Sequence, residues 1–246
     1  MRHPRPSDDI SLLYRGIVRT LRPVLRGVTR TDWRGMDNIP GSGGFVVAPN
    51  HVSYVDPIIL GHFLVDQGRA PRFLAKNALF TTPALGRIMS NTGQIPVYRE
   101  TSRAIDAYAA ALVALRDGAC VCVLPEGTIT KDPQMWPMTG KTGAARLALE
   151  TGLPLVPVGI WGTQQLMRAY HDKVPHLVPP KRVQVYAGPP VQLADLADEP
   201  VDREVLATAT DRLMDAIAAQ VSLARGLPVP GDRYDPRDNV RGGGQR

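Results

Sequence analysis

In the stretch FVVAPNHVSYVDP, residues 45–57, an apolar run is followed within a few residues by a helix start. Residues 45–49 form a short, mostly apolar run, which is typical of a strand. Asp56 and Pro57 follow, and proline in the first turn is a common helix start. A strand followed by a helix is the repeating unit of an α/β sheet. Side chains at such a junction converge at one edge of the sheet, where α/β enzymes build their sites.

The rest of the chain repeats this alternation of short apolar runs and helical stretches. The sequence predicts strands at 45–49, 72–76, 93–98, 120–125, 154–160 and 182–188. It predicts helices at 10–28, 56–65, 82–91, 102–117, 142–150 and 202–223. We therefore expect one α/β domain, residues 35–226, with a mixed, mostly parallel sheet flanked by helices. An amphipathic helical segment, residues 1–34, precedes this domain, and residues 227–246 are expected to form a disordered tail.

The net charge of +6 is concentrated in residues 1–34, which hold eight arginines against three aspartates. Apolar residues recur at three- and four-residue steps from Ile10 to Val28, and five arginines occupy a separate face of this predicted helix. Pro23 is expected to kink the helix or divide it in two. The arginine face indicates an interfacial helix on an anionic membrane, where each basic residue contributes on the order of 1 kcal/mol.

Two alternatives exist for this arginine-rich helix. It could pack on the domain and leave its basic face in solvent. A nucleic-acid partner is disfavoured, because no aromatic residue that could stack on bases is interleaved with the arginines beyond Tyr14.

Three further features bear on the compartment. Cys120 and Cys122 lie two residues apart in a predicted strand, which is a poor geometry for a disulfide, so we expect buried free thiols. No run approaches the roughly 20 apolar residues that span a bilayer. The first nine residues lack the apolar core of a signal peptide. If the protein acts on lipid, we expect it to be cytoplasmic and to lie on the inner face of the cell membrane.

His51 and Asp56 are the candidate catalytic pair. A carboxylate bonded to one imidazole nitrogen fixes the tautomer and raises the basicity of the other nitrogen, which can then take a proton from a hydroxyl. The spacing alone decides nothing, because His3 and Asp8 share it in a proline-rich stretch. The alternatives are a helix N-cap for Asp56 and a hydrogen-bonded core histidine for His51.

Two later strand ends could contribute to the same site. In LPEGTIT, residues 124–130, the turn after the strand offers backbone N–H groups to an anion, and Glu126 adds a carboxylate. The alternative is an ordinary strand exit with Glu126 solvated. In GQIPVYR, residues 93–99, the strand ends in Arg99, which could be presented to a phosphate.

Other motifs are incomplete or missing. TGKTG at 139–143 lacks the upstream glycine of a P-loop and is interpreted as the start of a helix, whose N–H groups and Lys141 could bind an anion. The sequence has no G-x-S-x-G elbow, which disfavours a serine hydrolase. No His/Cys cluster has the spacing of metal ligands, so no metal is expected.

Four segments of this chain resemble, in order and spacing, those of the glycerolipid acyltransferases, particularly the 1-acyl-glycerol-3-phosphate acyltransferases. The first is NHVSYVDP, the second runs from AKNALF to GQIPVYR, the third is VLPEGT and the fourth is PLVPVGI. The resemblance covers about residues 40–188. It implies a glycerol-3-phosphate acyltransferase-like fold and transfer of an acyl group to the hydroxyl of lysophosphatidic acid. The donor would be acyl-CoA or acyl carrier protein, as a co-substrate and not a cofactor. His51 would be the general base and Asp56 its orienting partner, with no covalent intermediate.

The resemblance also assigns substrate-binding positions. Arg99 matches an arginine that holds the acceptor phosphate, and Lys141 resembles a basic residue that follows the third block. The other positions expected to bind substrate or to support the site are Asn50, Ser53, Lys76, Glu126, Gly127, Thr128 and Lys131.

Two departures from the family concern the acceptor. The third block commonly continues with an arginine that binds phosphate, where this chain has Ile129, and the second block usually carries a glutamate where Ala78 stands. Glycerol-3-phosphate, another lysophospholipid or a glycolipid are therefore alternative acceptors. A catalytically silent membrane-binding protein is disfavoured because His51, Asp56 and Glu126 are intact.

Overall fold

The computed structural model describes residues 11–97 and 104–238, which form one sheet with helices on both faces. The strands are β1 (Thr29–Arg34), β2 (Phe45–Pro49), β3 (Pro71–Lys76), β4 (Ile95–Val97), β5 (Cys120–Cys122), β6 (Leu155–Trp161) and β7 (Lys181–Ala187). The main helices are α1 (Leu12–Val28), α2 (Asp56–Asp66), α3 (Pro83–Asn91), α4 (Ala104–Arg116), α5 (Gly143–Thr151) and α6 (Arg203–Arg225). The strand order is β1-β7-β6-β2-β5-β3-β4. Neighbouring strands of this sheet are parallel apart from β6 and β7, which are antiparallel.

The central strand β2 explains why the fold can be predicted from residues 45–57. All five of its residues are buried. Val46 and Ala48 belong to a core shared with α4, α5 and α6, whereas Phe45 and Val47 belong to a core shared with α2. Helices cover both faces, so every position of the strand must be apolar. The predicted mixed, mostly parallel α/β sheet is confirmed.

The predicted boundary between the N-terminal segment and the domain is wrong. Residues 29–34, assigned from sequence to the membrane-associating segment, form β1 at the edge of the sheet. This strand pairs with β7 over its full length, and Trp33 packs edge-on against His62 and Phe63. α1 also runs through Pro23 as one helix and is not divided there.

The segment after α6 is more ordered than the sequence predicts. The backbone carbonyl of Tyr234 accepts a hydrogen bond from the Thr139 N–H at 3.0 Å. Arg233 forms ion pairs with Asp211 and Asp215 of α6. Residues 227–238 therefore pack on the domain, and the expected disorder of the tail does not apply to them. The last part of that predicted tail, 239–246, lies outside the described residues.

Two sequence-based expectations about the compartment can be compared with the fold. Cys120 and Cys122 are buried free thiols in β5, as predicted. Across the two described ranges, no helix is long and apolar enough to cross a membrane.

Candidate active site

His51 and Asp56 form a hydrogen-bonded pair where β2 leads into α2. The distance from His51 Nδ1 to Asp56 Oδ2 is 2.8 Å. The same carboxylate oxygen accepts hydrogen bonds from the backbone N–H groups of Val52, at 2.7 Å, and Ser53, at 2.8 Å. The Asp56 side chain is 1% exposed and the His51 side chain 15% exposed. The carboxylate is therefore fixed in place, and it holds His51 so that Nε2 is the nitrogen left for a ligand.

This geometry decides between the alternatives for the pair. Val55, not Asp56, is the N-cap residue of α2, and the two amides that Asp56 binds precede the helix. The Asp56 carboxylate thus braces the loop that carries His51. The His51 side chain lines a large cavity instead of being enclosed in a hydrophobic core. Both residues are placed as a general base and its orienting group would be.

The Glu126 carboxylate links the loop that carries His51 to the loop that contains Met138. Its Oε1 accepts the His51 N–H at 2.9 Å, and its Oε2 accepts the Met138 N–H at 3.0 Å. The Thr130 N–H donates to the His51 carbonyl at 2.8 Å. Burial raises the pKa of Glu126 to about 8, against the opposing effect of these two backbone hydrogen bonds. The interpretation of Glu126 as a solvated strand exit is wrong, and its carboxylate faces backbone amides instead of the cavity.

Asn50 and Ser53 support the loop from behind and do not line the cavity. The Asn50 side-chain amide exchanges two hydrogen bonds with the backbone of Ile160, at 2.7 and 3.0 Å. It therefore extends the pairing of β2 with β6 past the last strand residue. The Ser53 hydroxyl donates to the Met167 carbonyl at 2.6 Å. Both side chains are fully buried, as supports of the loop that carries His51 would be.

The cavity beside His51 has a volume of about 1160 Å³ and two chemically different parts. Near His51 it is lined by the turn after β5 and by the start of α5. Away from His51 it runs between α1, α2, β3 and α3, where its walls are mainly apolar. Representative apolar lining residues are Ile17, Leu21, Leu25, Ile58, Leu85 and Ile88. A cavity of this form can hold a hydrocarbon chain with a polar group placed at His51.

The predicted basic residues have different places relative to this cavity. Lys76 and Lys141 line it, whereas Lys131 is exposed and is not among the lining residues. Gly127 has a φ of +69°, and a Cβ there would lie 2.9 Å from Cε and Nζ of Lys141. Glycine therefore allows Lys141 to approach the turn closely. Arg99, the predicted phosphate ligand, lies outside the described residues.

Several cavity residues were not predicted from sequence. Tyr54 and Tyr170 stand at its edge with their rings 6.2 Å apart, and the Tyr170 hydroxyl lies 3.4 Å from Oγ1 of Thr128. Thr128 is thus in the cavity wall, as its assignment to substrate binding requires. Tyr170 has a φ of +64°, which is uncommon for a bulky residue and has no signal in the sequence. The apolar side of α1 does have a signal in the sequence, its three- and four-residue periodicity, but that periodicity does not identify a cavity wall.

Comparison with known proteins decides the family. A family model described as Acyltransferase matches residues 30–161, which is more than half of the chain. This chain belongs to the acyltransferase family. The family predicted from the sequence is therefore confirmed, and the match includes His51, Asp56 and the turn after β5.

Individual relatives within the acyltransferase family carry a more specific name. A 1-acyl-sn-glycerol-3-phosphate acyltransferase of Brassica napus, BAT2, chloroplastic, is 34% identical over 140 residues, which are 56% of this chain and 39% of that protein. The 1-acyl-sn-glycerol-3-phosphate acyltransferase of Bacillus subtilis is 28% identical over 177 residues, which are 72% of this chain and 81% of that protein. This chain thus spans about two fifths of the Brassica relative.

A solved structure supports the fold. The crystal structure of the 1-acyl-sn-glycerophosphate (LPA) acyltransferase PlsC from Thermotoga maritima matches with a TM-score of 0.61. The match covers 90% of this chain and 84% of that chain, at 21% sequence identity. It confirms the predicted acyltransferase-like fold.

Proposed function

We propose that this protein transfers a fatty acyl group from a thioester, acyl-CoA or acyl carrier protein, to the free hydroxyl of lysophosphatidic acid, giving phosphatidic acid. The observation that carries the proposal is the His51–Asp56 pair beside a cavity that is lined by lysines at one end and is mainly apolar along the rest. The names of the relatives from Brassica and Bacillus are consistent with this substrate class. The reaction would serve phospholipid biosynthesis.

The proposed mechanism uses His51 as general base and forms no acyl-enzyme. With Nδ1 of His51 donating to Asp56, Nε2 takes the proton of the acceptor hydroxyl as its oxygen attacks the thioester carbonyl. The carbon–sulfur bond breaks, and the departing thiolate takes the proton from the imidazolium. Asp56 stabilises the imidazolium while it exists, because its carboxylate is buried and close. No metal enters this scheme.

Three arginine or lysine side chains line the described part of the cavity wall, Arg22, Lys76 and Lys141. Arg22 is ion-paired with Asp66, which leaves Lys76 and Lys141 as candidate ligands of the acceptor phosphate. Lys141 lies beside Glu126, which binds the His51 backbone. The Lys141 N–H donates to the Pro125 carbonyl at 2.8 Å, and its side chain lies against Gly127. Ile129, which stands where the family commonly has an arginine, lines the cavity and is 4% exposed. An apolar residue there cannot bind phosphate, so we assign that role to Lys141.

The acceptor assignment predicts a preference for phosphorylated acceptors that depends on Lys141. We expect lysophosphatidic acid to be acylated about 10- to 100-fold faster than a monoacylglycerol with the same chain, because one charge-assisted hydrogen bond contributes about 1.5–3 kcal/mol. Lys141→Met should remove most of this preference. Lys131→Met, which changes the lysine outside the cavity, is the matched control. Equal turnover of the two acceptors by the wild-type protein would favour an unphosphorylated acceptor, such as a glycolipid.

We further propose that α1 binds the anionic inner face of the cell membrane. The helix is anchored on the domain by the Arg22–Asp66 ion pair and by a hydrogen bond from the Ser11 hydroxyl to the Asn91 carbonyl. Its outer side nevertheless exposes apolar residues, with Leu12 84% exposed and Val24 52% exposed. The arginines exposed on the same helix are Arg15, Arg19 and Arg26, and Arg30 is exposed just beyond it, in β1. An exposed surface that is both apolar and basic, beside a lipid-sized cavity, suits a helix lying in the membrane interface.

This proposal predicts weaker vesicle binding when two of these arginines are neutralised. Arg15→Gln combined with Arg19→Gln should weaken binding to phosphatidylserine-containing vesicles roughly 30-fold, since two basic residues contribute about 2 kcal/mol. The effect should be largest at low salt. The same change at Arg116 and Arg203, on α4 and α6, is the control and should leave binding unchanged. If both double variants bind like the wild type in a sedimentation assay, α1 is only a packing element.

A further inference from the structure

The loop that leads from β5 into α5 contains Lys141 and is hydrogen-bonded to the backbone of His51, and α6 packs against it from the side away from the cavity. We propose that Arg225, near the end of α6, is a positioning residue that sets this loop, residues 131–141, for acyl transfer. The inference rests on the proposed function for its kinetic consequence. Arg225 lies beyond the residues that the family model matches, so no role is assigned to it by that match.

Arg225 is clamped between two aromatic rings. Its guanidinium carbon lies 4.3 Å from the ring centre of Trp136, in the loop, and 4.2 Å from that of Trp161, at the end of β6. Its Nη1 donates to the Gln134 carbonyl at 2.8 Å. A planar guanidinium can stack on two indole faces at once, which a lysine ammonium cannot do. The Arg225 guanidinium thereby links Trp136 and Gln134 of the loop to Trp161 of the sheet.

Other contacts show that the loop lies directly on α6 and the segment after it. Gly140 is so close to α6 that an added Cβ would lie 2.7 Å from the Met214 sulfur. The Thr139 N–H donates to the Tyr234 carbonyl at 3.0 Å. Because Thr139 and Gly140 are held by these contacts, a displacement of Trp136 would move the residues between them, and Met138 is one of these.

Two hydrogen-bonded routes lead from the clamped part of the loop to His51. In the first, the Thr130 hydroxyl donates to the Trp136 carbonyl at 2.8 Å, and the Thr130 N–H donates to the His51 carbonyl at 2.8 Å. In the second, the Met138 N–H donates to Glu126, whose other oxygen accepts the His51 N–H. Both routes end on the His51 backbone. Movement of the loop would thus shift the histidine relative to the acceptor.

The same loop also delivers Lys141. Two residues separate this lysine from Met138, and its N–H donates to the Pro125 carbonyl at 2.8 Å. Loosening the loop should therefore affect two kinetic constants in different ways. A displaced His51 lowers kcat, and a displaced Lys141 raises the KM for a phosphorylated acceptor, whereas the KM for the acyl thioester should stay unchanged.

The test compares three variants of the full chain. Arg225→Met keeps the length of the side chain without its stacking plane and charge, and should lower kcat/KM for lysophosphatidic acid about 10- to 100-fold, the size expected for a misplaced catalytic group. Arg225→Lys should fall between Arg225→Met and the wild type. Arg212→Met changes another arginine of α6, which is ion-paired with Asp195 and not with the loop. Its kcat/KM should stay within about twofold of the wild type.

Hydrogen exchange of the Thr130 and Met138 amides gives a readout that does not need activity. Both amides should exchange faster in Arg225→Met and Arg225→Lys, and at the wild-type rate in Arg212→Met. Equal exchange and equal kinetics in all three variants would overturn the inference. If the wild-type protein acylates no acceptor, the proposed function fails, and hydrogen exchange alone then decides the role of Arg225. If Arg225→Met does not fold, the comparison of Arg225→Lys with Arg212→Met carries the test.

Discussion

Replacing His51 with alanine is expected to lower kcat/KM for acyl transfer by about 10³- to 10⁴-fold, because the proposed general base for the acceptor proton is removed. The fold should survive, since the backbone of His51 is held by Glu126 and Thr130 and not by its own side chain. We expect a cost of about 1–2 kcal/mol in the free energy of unfolding, from the hydrogen bond lost at Asp56. Urea unfolding monitored by circular dichroism measures that cost.

The matched control for His51 is another histidine paired with an aspartate. His176, which is exposed, lies 3.5 Å from the half-buried Asp172, with the i,i+4 spacing of a helical turn. His176→Ala should leave acyl transfer unchanged, which shows that the loss at position 51 is not a general effect of removing a histidine. A folded His51→Ala protein with the wild-type rate would contradict the role of His51 as general base.

Asp56→Asn should lower kcat by about 10²-fold with little change in the KM for either substrate. Asparagine is isosteric, and its oxygen can still accept the hydrogen bonds that now converge on Oδ2 from His51, Val52 and Ser53. Its amide nitrogen would occupy the place of Oδ1, which is buried and has no hydrogen-bond partner in the described parts of the chain. The variant thus removes the charge that stabilises the imidazolium while keeping the geometry.

Steady-state kinetics and thermal unfolding together test this second prediction. Asp172→Asn, at the other aspartate paired with a histidine, is the control and should retain the wild-type kcat. An Asp56→Asn protein that folds and retains the wild-type kcat would show that the carboxylate charge is unnecessary. A variant that loses activity only because it unfolds would show an equally large loss of thermal stability.

The parts of the structure that follow from the sequence are those with local signals. The apolar run at 45–49 and the Asp56–Pro57 helix start carry their structure within a few residues, so the strand-to-helix junction and the position of the dyad could be predicted. β1 could not. Its residues 29–34 are mostly polar, and the strand exists because it pairs with β7, about 150 residues away in the chain.

The functional details that could not be predicted depend on which side chains become buried. Glu126 looks like a solvated strand end in the sequence, and only the packing of the 131–141 loop brings the Met138 amide to its second oxygen. The amphipathic pattern of α1 is real, but the pattern does not say that part of its apolar face lines the cavity and that Leu12 and Val24 remain exposed. These outcomes are set by contacts between distant segments.

The central claim is that His51 catalyses acyl transfer to lysophosphatidic acid. It is tested most directly by mass spectrometry of the products formed when purified wild-type and His51→Ala proteins are each given acyl-CoA and lysophosphatidic acid. We predict that the wild-type protein forms phosphatidic acid and free CoA in equal amounts and that the folded variant forms neither above background. Phosphatidic acid formed equally by both proteins, or an intact thioester after incubation with the wild-type protein, would contradict the claim.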